Sequence, residues 1–376
     1  MWDHALVQGI RASVTHVRRG WGRAATLKFL NLLLVLVPIA LILDLTGTGG
    51  HTIVFVTSAL AMVPLAALLG QATEEVAGYT GPKIGGLLNA TLGNAAELII
   101  TIVALREGLV DVVKASIAGS IIGNILIVLG ASVLLGGLKH GEQRFDSRIA
   151  GVNATMMMLA VVALIVPAVF ARGDATHHLT TKDLDHLSDG VAVIMIVMYA
   201  LYLIFTLRGG SGAKGHHEEA AAPGMSLRLA IGILAASTIA IVVMSELLVG
   251  AIEPTAEAWG LSELFIGVML VPLVGNVAEH LVAVKMALKN KMDLSLAIAL
   301  GSSLQVALFV TPVLVFAGLL MDQKLSLVFS SFELAALIGA SVIATLISVD
   351  GRSNWLEGAQ LISVYFMIGL AFYFVP

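Results

Sequence analysis

The sequence predicts an all-α integral membrane protein of about eleven transmembrane helices: one extra N-terminal helix, then two inverted five-helix repeats. Three observations carry that reading. The 376 residues are 58% hydrophobic and only 12% charged, with a mean hydropathy of +0.96. The apolar residues fall in runs of the length that spans a bilayer. The chain also matches itself at an offset of 182 residues.

A soluble domain is about 25% charged, so this chain lacks the polar surface to cover several globules. Its length would otherwise allow two or three. Cysteine is absent, which excludes disulfides, thiolate metal sites and thiol nucleophiles. The net charge of −4 is too small to indicate a partner, and the composition excludes a nucleic-acid binder. Glycine, at 38 residues, suits close helix packing in lipid.

A spanning helix needs about 20 mostly apolar residues. On that basis the spans are placed at 27–46, 51–70, 84–106, 111–138, 147–172, 187–207, 228–252, 260–286, 293–320, 325–348 and 354–375. No segment shows β-barrel alternation, and helices satisfy their own backbone in lipid. The first 26 residues carry Arg11, Arg18, Arg19 and Arg23 without a small-residue cleavage site, so they read as a cytoplasmic lead-in. With the N-terminus inside, 16 of the 21 Lys and Arg fall on the cytoplasmic side and five on the other. The expected topology is therefore N-terminus in and C-terminus out. The expected location is a bacterial inner (plasma) membrane.

Residues 208–227 (RGGSGAKGHHEEAAAPG and its flank) are rich in Gly and Ala and poor in large apolar side chains. They read as a flexible cytoplasmic linker. The expected organisation is 1–50 for the leader and extra helix, 51–207 for the first repeat, 208–227 for the linker and 228–376 for the second repeat.

In the self-match, Gly93-Asn94-Ala95-Ala96-Glu97 overlies Gly275-Asn276-Val277-Ala278-Glu279. Without a gap, Gly85 overlies Gly267, Asp111 overlies Asp293, and Gly119-Ser120 overlies Gly301-Ser302. Five spans per copy is odd, so the copies run in opposite senses across the membrane. Inverted repeats of this kind build transporters, with the substrate at the midplane between them.

Glu97 and Glu279 lie near the middle of their spans. An ionisable group there costs at least about 2.5–3.5 kcal/mol and marks a functional site. No basic residue occupies the middle of a span, so the expected counter-ion is a bound cation or a proton. Asn94 and Asn276 each precede a carboxylate by three and share its helical face; Asn89 falls on that face as well. The paired glycines allow local unwinding that frees carbonyl oxygens. Ser120 with Asn124, and Ser302 with Gln305, share faces of the next helix. As alternatives, the serines serve as small packing residues, and Asn124 and Gln305 as interhelical hydrogen-bonding groups. Carboxylate, amide and hydroxyl oxygens with no thiol favour calcium or a similar hard cation.

His280 adjoins Glu279 but points about 100° away, given 3.6 residues per turn. It reads as a proton-relay member or as a packed histidine. Glu246, in the seventh span with no basic neighbour in sequence, would continue such a relay. Glu333 is placed about nine residues into the tenth span as a weaker candidate. Glu74 and Glu75 are expected in a solvated connector. His177 and His178 are external and without a role, and His216-His217-Glu218-Glu219 reads as a linker run.

These residues resemble the cation/proton exchanger (CAX) family of the calcium/cation antiporter superfamily. The likeness runs through GLLNATLGNAAELI (from Gly86), SIAGSIIGN (116–124), SELLVGAIE (245–253), residues 275–310 and DGRSNWLEGAQL (350–361). It covers nearly all of the chain after residue 50. It implies exchange of calcium against protons by alternating access between two five-helix halves. By that likeness Glu97 and Glu279 would bind calcium or protons. Asn94, Asn276, Ser120, Ser302 and Gln305 would line the site, and His280 and Glu246 match positions associated with proton movement. The long acidic central loop of eukaryotic members is reduced here to Glu218 and Glu219, which sets regulation from that loop aside.

The partners implied are calcium, protons and the lipid bilayer, with no cofactor and no nucleic acid; a homo-oligomer is compatible with the sequence. The runner-up reading is an exchanger of the same superfamily that uses sodium or carries manganese or another divalent ion. Sodium-coupled members resemble one another in hydroxyl residues before each glutamate and a carboxylate or amide four after the serine. Here Asn94 and Asn276 precede the glutamates, and Val306 holds the later position in the second copy. A zinc protease is set aside because His217-Glu218 has Ala221 where a second histidine is needed. A serine enzyme would need a base beside Ser120 or Ser302, and those helices hold none. The expectation is a transporter, not an enzyme.

Overall fold

A computed structural model describes residues 32–172, 180–208 and 224–375. The 1–26 leader, residues 27–31 of the first expected span, His177, His178 and the 209–223 stretch of the linker lie outside the described residues. The described chain is almost wholly helical. In order, the helices are α1 (Leu33–Thr46), α2 (Gly50–Gly81), α3 (Ile84–Leu92), α4 (Ala95–Arg106), α5 (Val110–His140), α6 (Ser147–Arg172) and α7 (Lys182–Leu207). The second half adds α8 (Leu227–Gly250), α9 (Ile252–Trp259), α10 (Glu263–Gly275), α11 (Val277–Ala287), α12 (Met292–Leu320), α13 (Ser331–Val349) and α14 (Trp355–Tyr373). Eight of these are long and apolar enough to cross a membrane singly, and bent pairs raise the count to ten. The short apolar α1 stands beside that set.

The breaks fall where the sequence supplies their chemistry. Gly81 turns the chain between α2 and α3 with φ +80° and ψ 169°, a conformation that a side chain disfavours. Gly260 at φ +64° ends α9, and Ser262 then caps α10 by accepting from the Phe265 amide. Asn94 separates α3 from α4, bent by 42°, and Asn276 separates α10 from α11. The offset of 182 also governs irregular backbone. Wide π-type turns occupy Asn124–Val128 in α5 and Val306–Val310 in α12, positions that overlie one another. Single π turns inside α-helices are frequent at functional sites.

The two halves interlock. α2 packs along α8, α6 along α13, α5 against α14 and the end of α12 against α7. Glycine sets the α5–α14 crossing: a Cβ on Gly358 would lie 2.2 Å from the Leu134 amide nitrogen and 2.6 Å from the Gly130 carbonyl. Small residues that let backbones touch are the means by which helices associate in lipid. One end of the bundle carries the turns at 141–146, 288–291 and 350–354. There β1 (Gln143–Arg144) pairs antiparallel with β2 (Arg352–Ser353), and Gln143 Nε2 donates to the Ala287 carbonyl at 3.0 Å. We call this the α3 end. The opposite α10 end carries 107–109, 260–262 and 321–330.

Two placements differ from expectation. Glu333 is not deep in a span: the helix begins at Ser331, and Glu333 closes a capping box with Ser330, whose amide donates to Glu333 Oε2 at 2.8 Å. Glu75 is not in a connector. It sits in α2, where Oε2 accepts from the amides of Gly224 (2.8 Å) and Met225 (3.3 Å), while Tyr79 Oη donates to the Met225 carbonyl. It thereby fixes the chain leading into α8.

Replacing Gly358 by Leu should break the α5–α14 crossing, because both nearest atoms are backbone. Overpacking of this kind costs about 1–3 kcal/mol or more. The expected result is a lower melting temperature or loss of monodisperse protein, read by a thermal shift assay in detergent.

Candidate functional site

At each of the two breaks an asparagine leaves the helical region in nearly the same way. Asn94 has φ −101° and ψ 25°, and Asn276 has φ −99° and ψ 3°. Each takes the N-cap position of the following half-helix, yet neither side chain caps it. The first-turn amides therefore look toward the break, where the positive end of the helix dipole favours negative charge. The carboxylates follow three residues later: Glu97 in the first turn of α4 and Glu279 in the first turn of α11.

The side chains freed from capping reach across to the other half. Asn94 Nδ2 donates to Gln305 Oε1, Ser302 Oγ donates to Asn94 Oδ1 at 3.2 Å, and Asn124 Nδ2 donates to Ser302 Oγ at 3.0 Å. On the other side, Asn276 Nδ2 donates to Ser120 Oγ (3.3 Å) and to the Pro272 carbonyl (3.1 Å). Gly275 admits Glu97 to this crossing: a Cβ there would lie 3.2 Å from Glu97 Cγ and 3.3 Å from Oε1. Glu97 and Glu279 are within Coulombic reach of one another.

What these groups lack is as informative as what they have. Glu97 is 4% exposed, and among the described residues neither of its Oε atoms has a hydrogen-bond donor. Glu279 Oε2 and Asn276 Oδ1 are buried and unpartnered as well. A carboxylate left in this state costs several kcal/mol even after relaxation, unless a positive charge compensates it. Four acceptor oxygens without donors, from two carboxylates and one amide, are the donor set of a hard-cation or proton site.

The structure thus brings Glu97, Glu279, Asn94, Asn276, Ser120, Ser302, Gln305 and Asn124 together. It does not treat the two asparagines alike: the Asn94 amide oxygen already accepts from Ser302, whereas that of Asn276 is free. Asn89 does not join, because the break at Asn94 rotates it away; it is exposed. His280 lines a small cavity of about 10 Å³ together with Ser120, Asn124, Asn276 and Tyr365. That is about the space of one water. Tyr365, on α14, is not legible as a site residue in the sequence, where a single tyrosine in an apolar run carries no signal. Glu246 departs from expectation. It is not buried without a base but half exposed at the α10 end, and its Oε1 pairs with Arg106 Nη2 at 3.1 Å.

The two ends of this centre are packed differently. At the α10 end, a Cβ on Gly119 would lie 2.1 Å from the Val268 carbonyl, and one on Gly267 2.6 Å from Ala115 Cβ. At the α3 end, Gly301, which overlies Gly119, has nothing within 4 Å. Ile84 is 57% exposed, whereas Ile266, its counterpart, is fully buried. The α10 end is tightly packed, and the matching positions at the α3 end are not.

Gln305→Leu should free the Asn94 amide from its partner while leaving both carboxylates in place. A hydrogen bond is worth about 0.5–1.5 kcal/mol, or up to roughly tenfold in a constant. The apparent calcium affinity should weaken by up to about that factor, measured by titration of purified protein.

The chain can be set beside known proteins on this basis. It is 46% identical over 366 residues to the Ca(2+)/H(+) antiporter of Aphanothece halophytica, covering 92% of this chain and 96% of that protein. It is 41% identical to the Ca(2+)/H(+) antiporter ChaA of Bacillus subtilis, covering 90% and 98%. Among solved structures it is similar to native YfkE, at 38% identity and a TM-score of 0.80 over 92% of this chain and all of that one. An H+/Ca2+ exchanger structure, CAX, shares the fold at a TM-score of 0.70 and 18% identity over 93% and 92%. The model of the family described as sodium/calcium exchanger protein matches residues 50–208 and 229–374, and the chain belongs to that family.

Proposed function

We propose that this chain is a secondary antiporter that exchanges calcium for protons across a bacterial plasma membrane by alternating access. The observation that carries the reading is the set of buried, donorless oxygens on Glu97, Glu279 and Asn276, held where two half-helix N-termini meet. Calcium is the substrate: two carboxylates match its charge, and amide and hydroxyl oxygens complete a hard-ligand set. Once calcium leaves, two carboxylates in a low-dielectric centre repel, and protons restore neutrality at the same oxygens. Exchange follows from competition for shared atoms. Relatives named Ca(2+)/H(+) antiporter at 41–46% identity over nearly the whole chain support the same pair of ions.

The sodium-coupled alternative has less support. Such a site must place several monovalent ions in the space of one divalent ion, and here Asn94 and Asn276 stand where hydroxyl residues would precede the glutamates, and Val306 holds the later position in the second copy. The expected organisation stands as part of the proposal: residues 51–207 and 228–376 as the two halves, 208–227 as their link. Bond-making chemistry has no part in it. His280 and the water-sized cavity beside it extend the proton route from the carboxylates, and Glu246 with Arg106 stands at the α10 mouth.

Glu97→Gln and Glu279→Gln keep shape and remove both charge and titratable group, so each should abolish exchange in folded protein. The check is calcium uptake by inside-out vesicles under an imposed proton gradient. Uptake by the parent should collapse with a protonophore and be indifferent to sodium. Either variant retaining more than about a tenth of the parent rate, or uptake driven by sodium at equal pH, would overturn the proposal.

The orientation follows from the lysine and arginine bias. It places the loosely packed α3 end toward the cytoplasm and Glu253–Glu263 outside. Because the native chain has no cysteine, Ala258→Cys gives one label site. It should react with an impermeant maleimide from outside intact cells and not from the cytoplasmic side of sealed inside-out vesicles.

A further inference from the structure

A cavity lies away from the carboxylates, at the α3 end among α6, α7 and α12. It measures about 170 Å³ and is lined by Asp293, Leu294 and Ala297 of α12, Tyr202 and Phe205 of α7, and Ile149 of α6. Shifted by 182 residues, the α12 positions become Asp111, Val112 and Ala115 of α5. In α5, Val112 and Ala115 are buried. They receive Gly267 of α10: a Cβ there would lie 2.6 Å from Ala115 Cβ and 3.3 Å from the Val112 carbonyl.

The same operation applied to α10 gives α3. Gly267 overlies Gly85, and Ile266 overlies Ile84. Yet Gly85 does not sit on Ala297: the nearest atoms to a Cβ there belong to Ala77, beyond the turn at Gly81. Ala297 is exposed where Ala115 is fully buried. Ile84 is exposed where Ile266 is buried. The segment lies beside the cavity already, since a Cβ on Gly86 would be 3.2 Å from Leu207 at the end of α7.

We propose that this cavity is the receptacle for residues 84–88 of the chain's own α3. When the α3 end shuts, Gly85 seats on Ala297 and Leu294 as Gly267 now seats on Ala115 and Val112. The walls fit that occupant. They are mainly apolar, as Ile84, Leu87 and Leu88 require, and alanine at 297 leaves room for backbone to approach. The argument rests on the alternating-access reading above but not on the identity of the ions.

The experiment joins the two surfaces by thiols in the cysteine-free chain. Gly85 cannot carry one, because its Cβ would meet the Ala77 carbonyl at 2.7 Å, so its neighbour is used. In Ile84→Cys/Ala297→Cys, a short bifunctional methanethiosulfonate applied under cycling conditions should cross-link the pair and stop exchange, and reductant should restore it. The control pair Ile84→Cys/Ile298→Cys, turned about 100° around α12, should cross-link far less. Cross-linking no greater than the control in an actively exchanging carrier would overturn the receptacle while leaving the proposed function intact. If exchange itself proved to involve other ions, the cross-link would still form. As a second variant, Ala297→Trp should fill the cavity and lower exchange at least tenfold, with calcium binding within about threefold of the parent. Near-parental exchange by folded Ala297→Trp would equally overturn it.

Discussion

Charge in the middle of an apolar bundle is the constraint on which the rest of this structure depends. Two carboxylates at that depth must be compensated, and no lysine or arginine is placed to do it. The backbone supplies part of the compensation. By interrupting two spans at Asn94 and Asn276, the chain turns two helix N-termini toward the centre and sets a glutamate in the first turn of each. Gly275, before the second asparagine, follows from the same need: there the Glu97 side chain lies against the break itself. What remains uncompensated is carried on a few acceptor oxygens, and that residue of negative charge is the binding site.

Much of this was legible because it is local and stated twice. The Gly-Asn-x-Ala-Glu pair marks the breaks, the carboxylates and the inverted symmetry together. The offset of 182 extends without a gap to the serines and to the π turns at 124–128 and 306–310. What was not legible depends on contacts distant in sequence. Glu246 reads as an unpaired buried acid until Arg106, 140 residues away, is found beside it. Glu75 reads as solvated until Gly224 and Met225 are seen on it. Glu333 is a different failure, since Ser330 three residues earlier is a capping-box signature that locates the helix start from sequence alone. Hydropathy averages over a window and set that start six residues too early.

The duplication is imperfect at one instructive place. After each Gly-Ser pair, the first copy reads Gly123-Asn124 and the second Gln305-Val306, so each half contributes one amide, displaced by one position. Asn94 faces the glutamine and is held by it; Asn276 faces the glycine, is held by Ser120 and its own Pro272 carbonyl, and keeps its oxygen free. Two identical residues with the same backbone conformation thus present different atoms to the centre. A strictly symmetric site would bind a cation equally well whichever end was open. One amide displaced in each copy makes the two states chemically distinct.

The packing asymmetry between the ends bears on the same point. Ala115 and Ala297 are the same residue, as are Gly119 and Gly301, yet only the first of each pair is in close contact. Ala115 and Gly119 are small because Gly267 and the Val268 carbonyl press on them. Gly301 has nothing within 4 Å, and Ala297 is exposed, so present contacts give neither a reason to stay small. Helix interiors penalise glycine by about 1 kcal/mol relative to alanine, which makes Gly301 a cost with no return in this arrangement. The cost is accounted for once the arrangement is one of two. A bundle whose halves exchange roles must keep, at its loosely packed end, the same small surfaces that its tightly packed end uses.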